Sequence, residues 1–301
     1  MNIVTTLLVI VFILVLLATT MVGSTTHDLS HWKKRCSYRA KYSSYDEALE
    51  ALETLEVRKN LKQSRSPGRI GVVSLSVGDR EFSKITKKRL EDYCRHHDYD
   101  LYYFDEELDS SYSPIWQKCL AIKKVLEMGK NEVIAWFDDD IYITNFEIKL
   151  ESFIMLAPDK DIILCHDVVK NDPNIYINTG SYFLRNTEIS RKFINETIEC
   201  YDDFSGYFKK ARYHEQSIMT YLFYKKYHYY AEVLPYAIVH SFHGTNPWWM
   251  QLFRGTHRGW KYKDFSLHLA GVNNDKRLEL FTKIKDYDEG QYIGSDWEKV
   301  M

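Results

Sequence analysis

Short apolar segments alternate with longer amphipathic ones through most of the chain, and this alternation limits the possible folds more than any other feature of the sequence. The short segments predict strands, and the longer ones, whose apolar residues recur at helical spacing, predict helices. The predicted strands are 70–77, 100–104, 132–137, 161–165 and 177–184, and the predicted helices are 83–97, 114–128, 188–201 and 215–224. Such alternation favours an α/β fold with a mostly parallel sheet and helices on both faces.

The N-terminal segment differs from the rest, because residues 1–26 carry no charged side chain and residues 3–22 are apolar apart from threonines. About 20 such residues, at 1.5 Å each, cross a hydrocarbon core of roughly 30 Å. We therefore predict a transmembrane anchor at residues 1–26. A cleaved signal peptide, with Val22-Gly23-Ser24 as the cleavage site, is the alternative. The basic residues that follow the span favour a cytoplasmic body, whereas a sequon at Asn195, usable only in a lumen, leaves the sidedness open.

A second helix-forming segment, residues 45–64, repeats apolar side chains at helical spacing and is followed by Ser66-Pro67-Gly68. Proline and glycine at that point end the helix. The chain is therefore predicted to comprise an anchor at 1–26, a stem with one helix at 27–68 and a globular domain at 69–301.

Composition excludes several classes of protein. The 301 residues are 45% hydrophobic and 27% charged, which is typical of a globular protein. Lys and Arg number 40 against 42 Asp and Glu, and the net charge of −2 excludes a strongly basic nucleic-acid binder. The five cysteines form no CxxC pair, which excludes zinc ribbons and thioredoxin-type motifs and predicts small buried apolar residues instead.

Three consecutive carboxylates, Asp138 to Asp140, directly follow the predicted strand 132–137. In open α/β sheets, ligands bind beyond the carboxyl ends of the strands, so this triplet lies where a ligand is expected. Adjacent carboxylates in a half-buried crevice repel one another, and a bound divalent cation compensates this electrostatic repulsion. Oxygen ligands favour Mg²⁺ or Mn²⁺, which commonly bridge to substrate phosphates. A solvated acidic loop is the alternative.

His268 is the second candidate metal ligand, within the apolar segment 264–271 that ends in glycine. A hydrogen-bonded core histidine is the alternative for this position. His240, His243 and His257 lie in the same part of the sequence and compete with it as candidates.

Together these segments resemble glycosyltransferases of the GT-A type. More narrowly, they resemble glycosyltransferase family 34, the galactosyltransferase/xylosyltransferase family of yeast mannan galactosyltransferases and plant xyloglucan xylosyltransferases. Five segments carry the resemblance in the same order: Trp116-Gln117-Lys118, Trp136-Phe137-Asp138-Asp139-Asp140, Asn178-Thr179-Gly180-Ser181 with Arg185, His214-Glu215-Gln216-Ser217 and His268-Leu269-Ala270-Gly271.

The resemblance implies a single-pass type II membrane enzyme of the Golgi or secretory pathway. Such an enzyme moves a hexose or pentose from a nucleotide-sugar, typically a UDP-sugar, to a glycan acceptor with Mn²⁺ or Mg²⁺ and with retention of configuration. The implied roles are as follows: Asp138, Asp140 and His268 hold the metal; Lys118, Asp138, Asp139, Asn178, Gly180 and Ser181 bind the donor; Glu215 and Gln216 lie beneath the anomeric carbon.

Two departures from the family pattern concern the diphosphate. Val272 and Asn273 stand where the family usually has Cys and a diphosphate-binding Lys, which leaves Lys276 or the metal alone for that task. Asp139, often a small residue in the family, adds a negative charge near the expected phosphates.

Aromatic residues close to the histidine-rich segment predict an acceptor site. Trp248 and Trp249, with Trp260, offer flat faces on which a sugar can stack, and core packing is the alternative. Two other classes also remain open: a membrane-anchored, non-catalytic sugar-binding or scaffold protein, and a phosphohydrolase of the haloacid-dehalogenase type, whose aspartate motif follows the first strand of its sheet.

Overall fold

The computed structural model describes residues 36–59, 68–167, 177–203, 214–244, 259–261 and 263–288. Its central sheet has six strands in the order β2-β1-β3-β6-β5-β7, and a smaller sheet has three strands in the order β4-β9-β8. The strands are β1 (Ile70–Leu75), β2 (Asp100–Phe104), β3 (Val133–Phe137), β4 (Ile141–Ile143), β5 (Ile162–His166), β6 (Ile177–Arg185), β7 (Ala231–Leu234), β8 (Ser241–Phe242) and β9 (Ser266–His268).

Helices flank the central sheet. They are α1 (Tyr45–Lys59), α2 (Glu81–His97), α3 (Gln117–Met128), α4 (Leu150–Leu156), α5 (Glu188–Asp203), α6 (His214–Leu222) and α7 (Asn274–Asp288). A short 3₁₀ turn, Pro114–Trp116, precedes α3, and a π-helical turn, Phe223–Tyr227, continues α6. The five predicted strands correspond to β1, β2, β3, β5 and β6, and four of the predicted helices correspond to α2, α3, α5 and α6, whereas β4, β7, β8, β9 and α4 were not predicted. The prediction of an α/β fold whose sheet is flanked by helices is confirmed.

One strand of the central sheet runs against the others. β1 pairs in parallel with β2 and β3, and β5 pairs in parallel with β7, but β6 is antiparallel to both of its neighbours. The beginning of β6 therefore lies beside the end of β3, where Ser181 pairs with Phe137. Motifs that are about forty residues apart in the sequence meet at this edge because of the reversed strand.

β3 shows why the middle of this sheet is buried on both faces. Successive side chains of a strand point to opposite faces. Ile134 and Trp136 belong to the core cluster beneath α3, α5 and α6, whereas Val133, Ala135 and Phe137 belong to the cluster beneath α1, α2 and α4. A strand that is covered on both faces can contact a ligand only at its ends. The residues that follow Phe137 are therefore the ones through which this strand can contribute to a binding site.

The helix predicted between residues 45 and 64 is present as α1 and packs into the second of these clusters. Ala48 and Leu52 are buried there together with Phe153 of α4. Just before this helix, the Tyr42 hydroxyl donates a hydrogen bond to the Leu156 carbonyl at 3.0 Å. The helix assigned to the stem thus shares a core with the α/β region, and the division into stem and globular domain stays a prediction.

Within the part of the chain that the structure describes, no helix has the length and apolar character that a membrane span needs. The predicted anchor, residues 1–26, lies outside the described residues. The five cysteines are all described, and none of them forms a disulfide: Cys94, Cys119 and Cys165 are buried, as predicted, and Cys36 and Cys200 are half-buried.

Replacing Leu52 by Ala tests the packing of α1. Removing a buried leucine side chain is expected to lower the free energy of unfolding by about 2 to 4 kcal/mol. Urea denaturation measures this effect, with Glu53→Ala as the control because Glu53 lies next to Leu52 on the exposed side of the same helix. Equal unfolding midpoints for the two variants would contradict a docked helix.

Candidate functional site

The three aspartates follow the carboxyl end of β3, as predicted, and form the turn that leads into β4. The Ile141 amide donates to the Asp138 carbonyl at 3.1 Å, and the Thr86 hydroxyl donates to the Asp139 carbonyl at 2.7 Å. The turn opens on a cleft. The cleft is lined by Leu75, Val77, Arg80, Pro114, Ile115, Lys118, Trp136, Asp138, Asp139, Asp140 and Arg277.

Pairing of β4 with β9 brings His268 to the triplet. His268 is in register with Ile141, and the Leu269 amide donates to the Asp140 carbonyl at 3.0 Å. As a result, His268 Nε2 lies 3.2 Å from Asp140 Oδ1.

A divalent cation fits this arrangement. One ligand atom from each of Asp138, Asp140 and His268 lies within 4.8 Å of the other two. Neighbouring ligands around an octahedral ion with bonds of about 2.1 Å are roughly 3 Å apart, close to the separation of the Asp140 and His268 atoms. Carboxylate oxygens with one imidazole nitrogen form a donor set that suits Mn²⁺ better than Mg²⁺, which prefers oxygen alone.

Two neighbouring side chains hold the Asp140 carboxylate in its ionised form. Arg277 Nη2 lies 2.6 Å from Asp140 Oδ2, on the opposite side of the carboxylate from His268. Burial alone would raise the pKa of Asp140, but His268 and Arg277 outweigh it and lower the pKa to about 2. Asp140 is therefore ionised at neutral pH, and it lines the cleft.

The Asp139 side chain is turned toward β1 and α2. Its Oδ2 accepts hydrogen bonds from Ser76 Oγ at 2.6 Å and from Arg80 Nη1 at 3.0 Å. Burial and the neighbouring Asp140 nevertheless raise the pKa of Asp139 to about 6. The extra charge that was expected near the phosphates is therefore paired with Arg80.

Lys118, at the beginning of α3, links two parts of the site. Its buried ammonium lies 2.9 Å from Asp138 Oδ1 and 3.0 Å from Glu215 Oε1. Burial disfavours the charged form, but the two carboxylates outweigh burial and raise the pKa of Lys118. The ammonium also lies 5.7 Å from the centre of the Trp136 ring, within the range of a cation–π contact.

Asp138, Asp140 and His268 form what we call the metal-type cluster, and the beginning of β6 supplies the wall behind it. The Asp138 amide donates to the Gly180 carbonyl at 2.8 Å, and the Asn178 side chain accepts a hydrogen bond from the Gly180 amide at 2.8 Å. Ser181 is fully buried and is hydrogen-bonded to His240 Nδ1, so its hydroxyl lies behind the cleft.

Gly180 makes room for the imidazole of His268. A Cβ atom at position 180 would lie 2.3 Å from His268 Cε1, which is much closer than real Cβ contacts allow. Any larger residue would push the imidazole away from Asp140. The sequence motif flagged Gly180, but only the structure gives this reason for it.

Glu215 and Gln216 lie at the beginning of α6, close to Lys118. Both ends of the Gln216 side-chain amide are hydrogen-bonded to the protein. Its Oε1 accepts from the Thr179 amide at 3.1 Å, and its Nε2 donates to Asp167 at 3.1 Å. Glu215 Oε1 contacts Lys118 and the Thr179 hydroxyl, but Glu215 Oε2 is buried without a hydrogen-bond partner among the described residues.

Several other residues proposed from the sequence lie elsewhere. Trp248 and Trp249 fall outside the described residues. Trp260 is buried in the core cluster of Tyr142 and Leu267. Lys276 forms a surface ion pair with Glu279 at 2.8 Å and does not line the cleft.

Arg277 takes the cationic position beside the aspartates that Lys276 was expected to fill, and sequence reasoning missed it. An arginine on an amphipathic helix carries no pattern that separates it from its solvent-exposed neighbours. Only the packing of α7 against α2 places this side chain in the cleft.

Comparison with solved structures defines the class of fold as that of GT-A-type glycosyltransferases. The structure superposes with a TM-score of 0.56 on a glycosyltransferase involved in the glycosylation of the major capsid of PBCV-1, at 18% identity, over 71% of this chain and 98% of that chain.

Residues 71–176 match the sequence model of the galactosyl transferase GMA12/MNN10 family. The chain is 32% identical over 120 residues to xyloglucan 6-xylosyltransferase 1 of Arabidopsis thaliana. This match covers 38% of this chain and 25% of that protein. It is 32% identical over 125 residues to a probable xyloglucan 6-xylosyltransferase 1 of Oryza sativa subsp. indica, over 40% and 27% of the two chains. The resemblance to this glycosyltransferase family is thus confirmed, although the chain spans about a quarter of the length of these curated relatives.

A double-mutant cycle tests the contact between Gly180 and His268. Gly180→Ala should destabilise the fold by about 1 to 3 kcal/mol, because the new methyl group displaces the imidazole. In a His268→Ala background the space is already free, so most of that penalty should disappear. Chemical denaturation of the four proteins measures both values. Equal penalties in the two backgrounds would contradict the assigned contact.

Proposed function

We propose that this protein is a metal-dependent, retaining glycosyltransferase that moves a hexose or pentose from a nucleotide-sugar, with a UDP-sugar as the first choice, to a glycan acceptor. The observation that carries this proposal is the convergence of Asp138, Asp140 and His268 beside a cleft that also holds three basic side chains. The similarity to xyloglucan 6-xylosyltransferases supports the same class of reaction.

Asp138, Asp140 and His268 would hold the divalent ion, with Mn²⁺ favoured by the single imidazole. When bound, such an ion supplies Lewis acidity and neutralises charge on the departing nucleoside diphosphate. The protein's own contribution is a set of ligands of which Asp140 and His268 are buried and Asp138 is half-buried, with His268 placed beside Asp140 by the β4–β9 register. Because the ligands are already in place, little reorganisation is needed when the ion binds.

Lys118 would lie between the binding site of the departing diphosphate and that of the reacting sugar. It contacts Asp138 on one side and Glu215 on the other, so it fixes the distance between the metal-type cluster and α6. Thr179 and the Gln216 amide complete this wall. Asn178 and Gly180 would border the donor sugar, as the family resemblance implies.

We assign to Glu215 the role of stabilising the positive charge that develops at the anomeric carbon. Cleavage of a glycosidic bond proceeds through an oxocarbenium-like centre, which a nearby carboxylate stabilises. Glu215 Oε2 is buried and lacks a hydrogen-bond partner among the described residues, so it has free acceptor capacity. Gln216 would act as a positioning residue, because both ends of its amide are already bonded to the protein.

The membrane and compartment assignments remain proposals that rest on the sequence. The apolar segment 3–22 would anchor a type II protein in the Golgi or another secretory membrane. The sequon adds no support, because Asn195 lies half-buried within α5, where Lys123 donates a hydrogen bond to it, and the Thr197 hydroxyl is buried. Glycosylated sequons normally lie on exposed loops.

A panel of UDP- and GDP-sugars with Mn²⁺, scored by nucleotide release with and without glycan acceptors, tests the proposed function. We expect release of one nucleotide to depend on the metal, to be lost with a chelator and to rise with the correct acceptor. The same panel separates the competing classes. A phosphohydrolase would release inorganic phosphate from phosphate esters, and a scaffold protein would release nothing from any donor.

Asp140→Asn is expected to lower kcat/KM by about 100-fold or more, because it removes a charged metal ligand while keeping the shape of the side chain. Asp159→Asn is the matched control, since Asp159 is an exposed carboxylate that does not line the cleft. Nucleotide release at saturating Mn²⁺ measures both variants. Wild-type turnover by Asp140→Asn would contradict the assignment of Asp140 as a metal ligand.

A further inference from the structure

Arg277 is held against the metal-type cluster by contacts on every side of its guanidinium. Nη2 lies 2.6 Å from Asp140 Oδ2, Nε donates to the Leu269 carbonyl at 3.1 Å, and Nη1 donates to Asn274 at 3.3 Å. The guanidinium also lies 5.2 Å from the centre of the Phe82 ring. The side chain is 15% exposed and lines the same cleft as the three aspartates.

Arg277 and a divalent ion would compete for the same carboxylate. A buried carboxylate needs a compensating cation, and Arg277 fills that role for Asp140. A divalent ion bound by Asp138, Asp140 and His268 would bring a second positive charge to within a few ångströms of the guanidinium. Two cations at that distance repel each other, so each weakens the hold of Asp140 on the other.

The other two basic residues of the cleft are not released by metal binding in this way. Arg80 is paired with Asp139, which is not among the metal-type ligands. Lys118 keeps a second partner, Glu215, whatever happens at Asp138. Arg277 is thus the basic residue of the cleft whose carboxylate partner is itself a metal ligand and which has no second carboxylate among the described residues.

We propose that Arg277 is an exchangeable cation: it neutralises Asp140 while the metal is absent, and it binds the diphosphate of the nucleotide once the metal takes over Asp140. This inference rests on the function proposed above and assigns to α7 the diphosphate contact that the sequence left to Lys276. A guanidinium suits this task, because its planar fork binds phosphate oxygens in pairs.

The test compares Arg277→Gln with wild type, using the full-length chain freed of metal by chelation. The probes are Mn²⁺ alone, measured by the electron paramagnetic resonance of free Mn²⁺, and UDP at saturating Mn²⁺, measured by calorimetry. Loss of the competing cation should tighten Mn²⁺ binding by about fivefold. Loss of a charged phosphate contact should weaken UDP binding by about tenfold.

Lys276→Gln is the control, because it removes the same charge one residue away, outside the cleft. We expect it to leave both affinities within about twofold of wild type, a change well under 1 kcal/mol. Opposite shifts of the two affinities in Arg277→Gln support the proposal. Unchanged affinities, or a loss of both, overturn it, because simple structural damage would weaken both ligands together.

Arg277→Lys keeps the test decisive even where Arg277→Gln fails to fold. Lysine retains the charge that balances Asp140 but loses the fork, so Mn²⁺ affinity should stay near wild type while UDP affinity falls severalfold. Wild-type UDP affinity in this variant overturns the proposal. If the wild-type protein binds neither Mn²⁺ nor UDP, the proposed function fails as well; if it binds both and the Arg277 variants show no selective shift, only the present inference fails.

Discussion

The site depends on how the protein compensates the charges of three consecutive carboxylates, of which Asp140 is buried and Asp138 and Asp139 are half-buried. Carboxylates so close together cannot all remain ionised in a half-buried position without partners. The protein gives each one a different cation from a different element: Lys118 of α3 for Asp138, Arg80 at the beginning of α2 for Asp139, and Arg277 of α7 for Asp140. Three helices are thereby tied to one turn between two strands.

Topology explains how distant segments contribute to one cleft. The reversed direction of β6 places Asn178 and Gly180 beside Asp138, although more than thirty residues separate them along the chain. The antiparallel register of β4 and β9 places His268 beside Asp140 from still farther along the chain. Gly180 and His268 then meet from two different sheets, and the missing side chain of the glycine lets the two sheets approach.

The sequence predicted the parts of the site that follow from strand ends and motifs, and it missed those that follow from packing. Asp138 and Asp140 could be selected because their residue type and their position after a strand indicate the chemistry. His268 was selected from its apolar segment and from the family resemblance, and Lys118 from the resemblance alone. The short strands β4 and β8, of two or three residues, are too brief to show a period. Without them, neither the register that positions His268 nor the approach of Arg277 could be derived, so Lys276 was chosen in its place.

In the proposed reaction, the balance of charge in the cleft would also set the order in which the metal and the donor bind. Asp138, Asp139, Asp140 and Glu215 face the fixed cations Arg80, Lys118 and Arg277, which leaves one net negative charge. A nucleoside diphosphate would meet a site of its own sign, whereas a divalent cation is attracted and reverses that sign. The cation would therefore bind first, and the anionic donor would follow into a cleft whose charge has become positive. The same reasoning accounts for the carboxylate of Asp139. A neutral residue at this position would leave Arg80 without its carboxylate partner and would remove the net negative charge that would attract the metal.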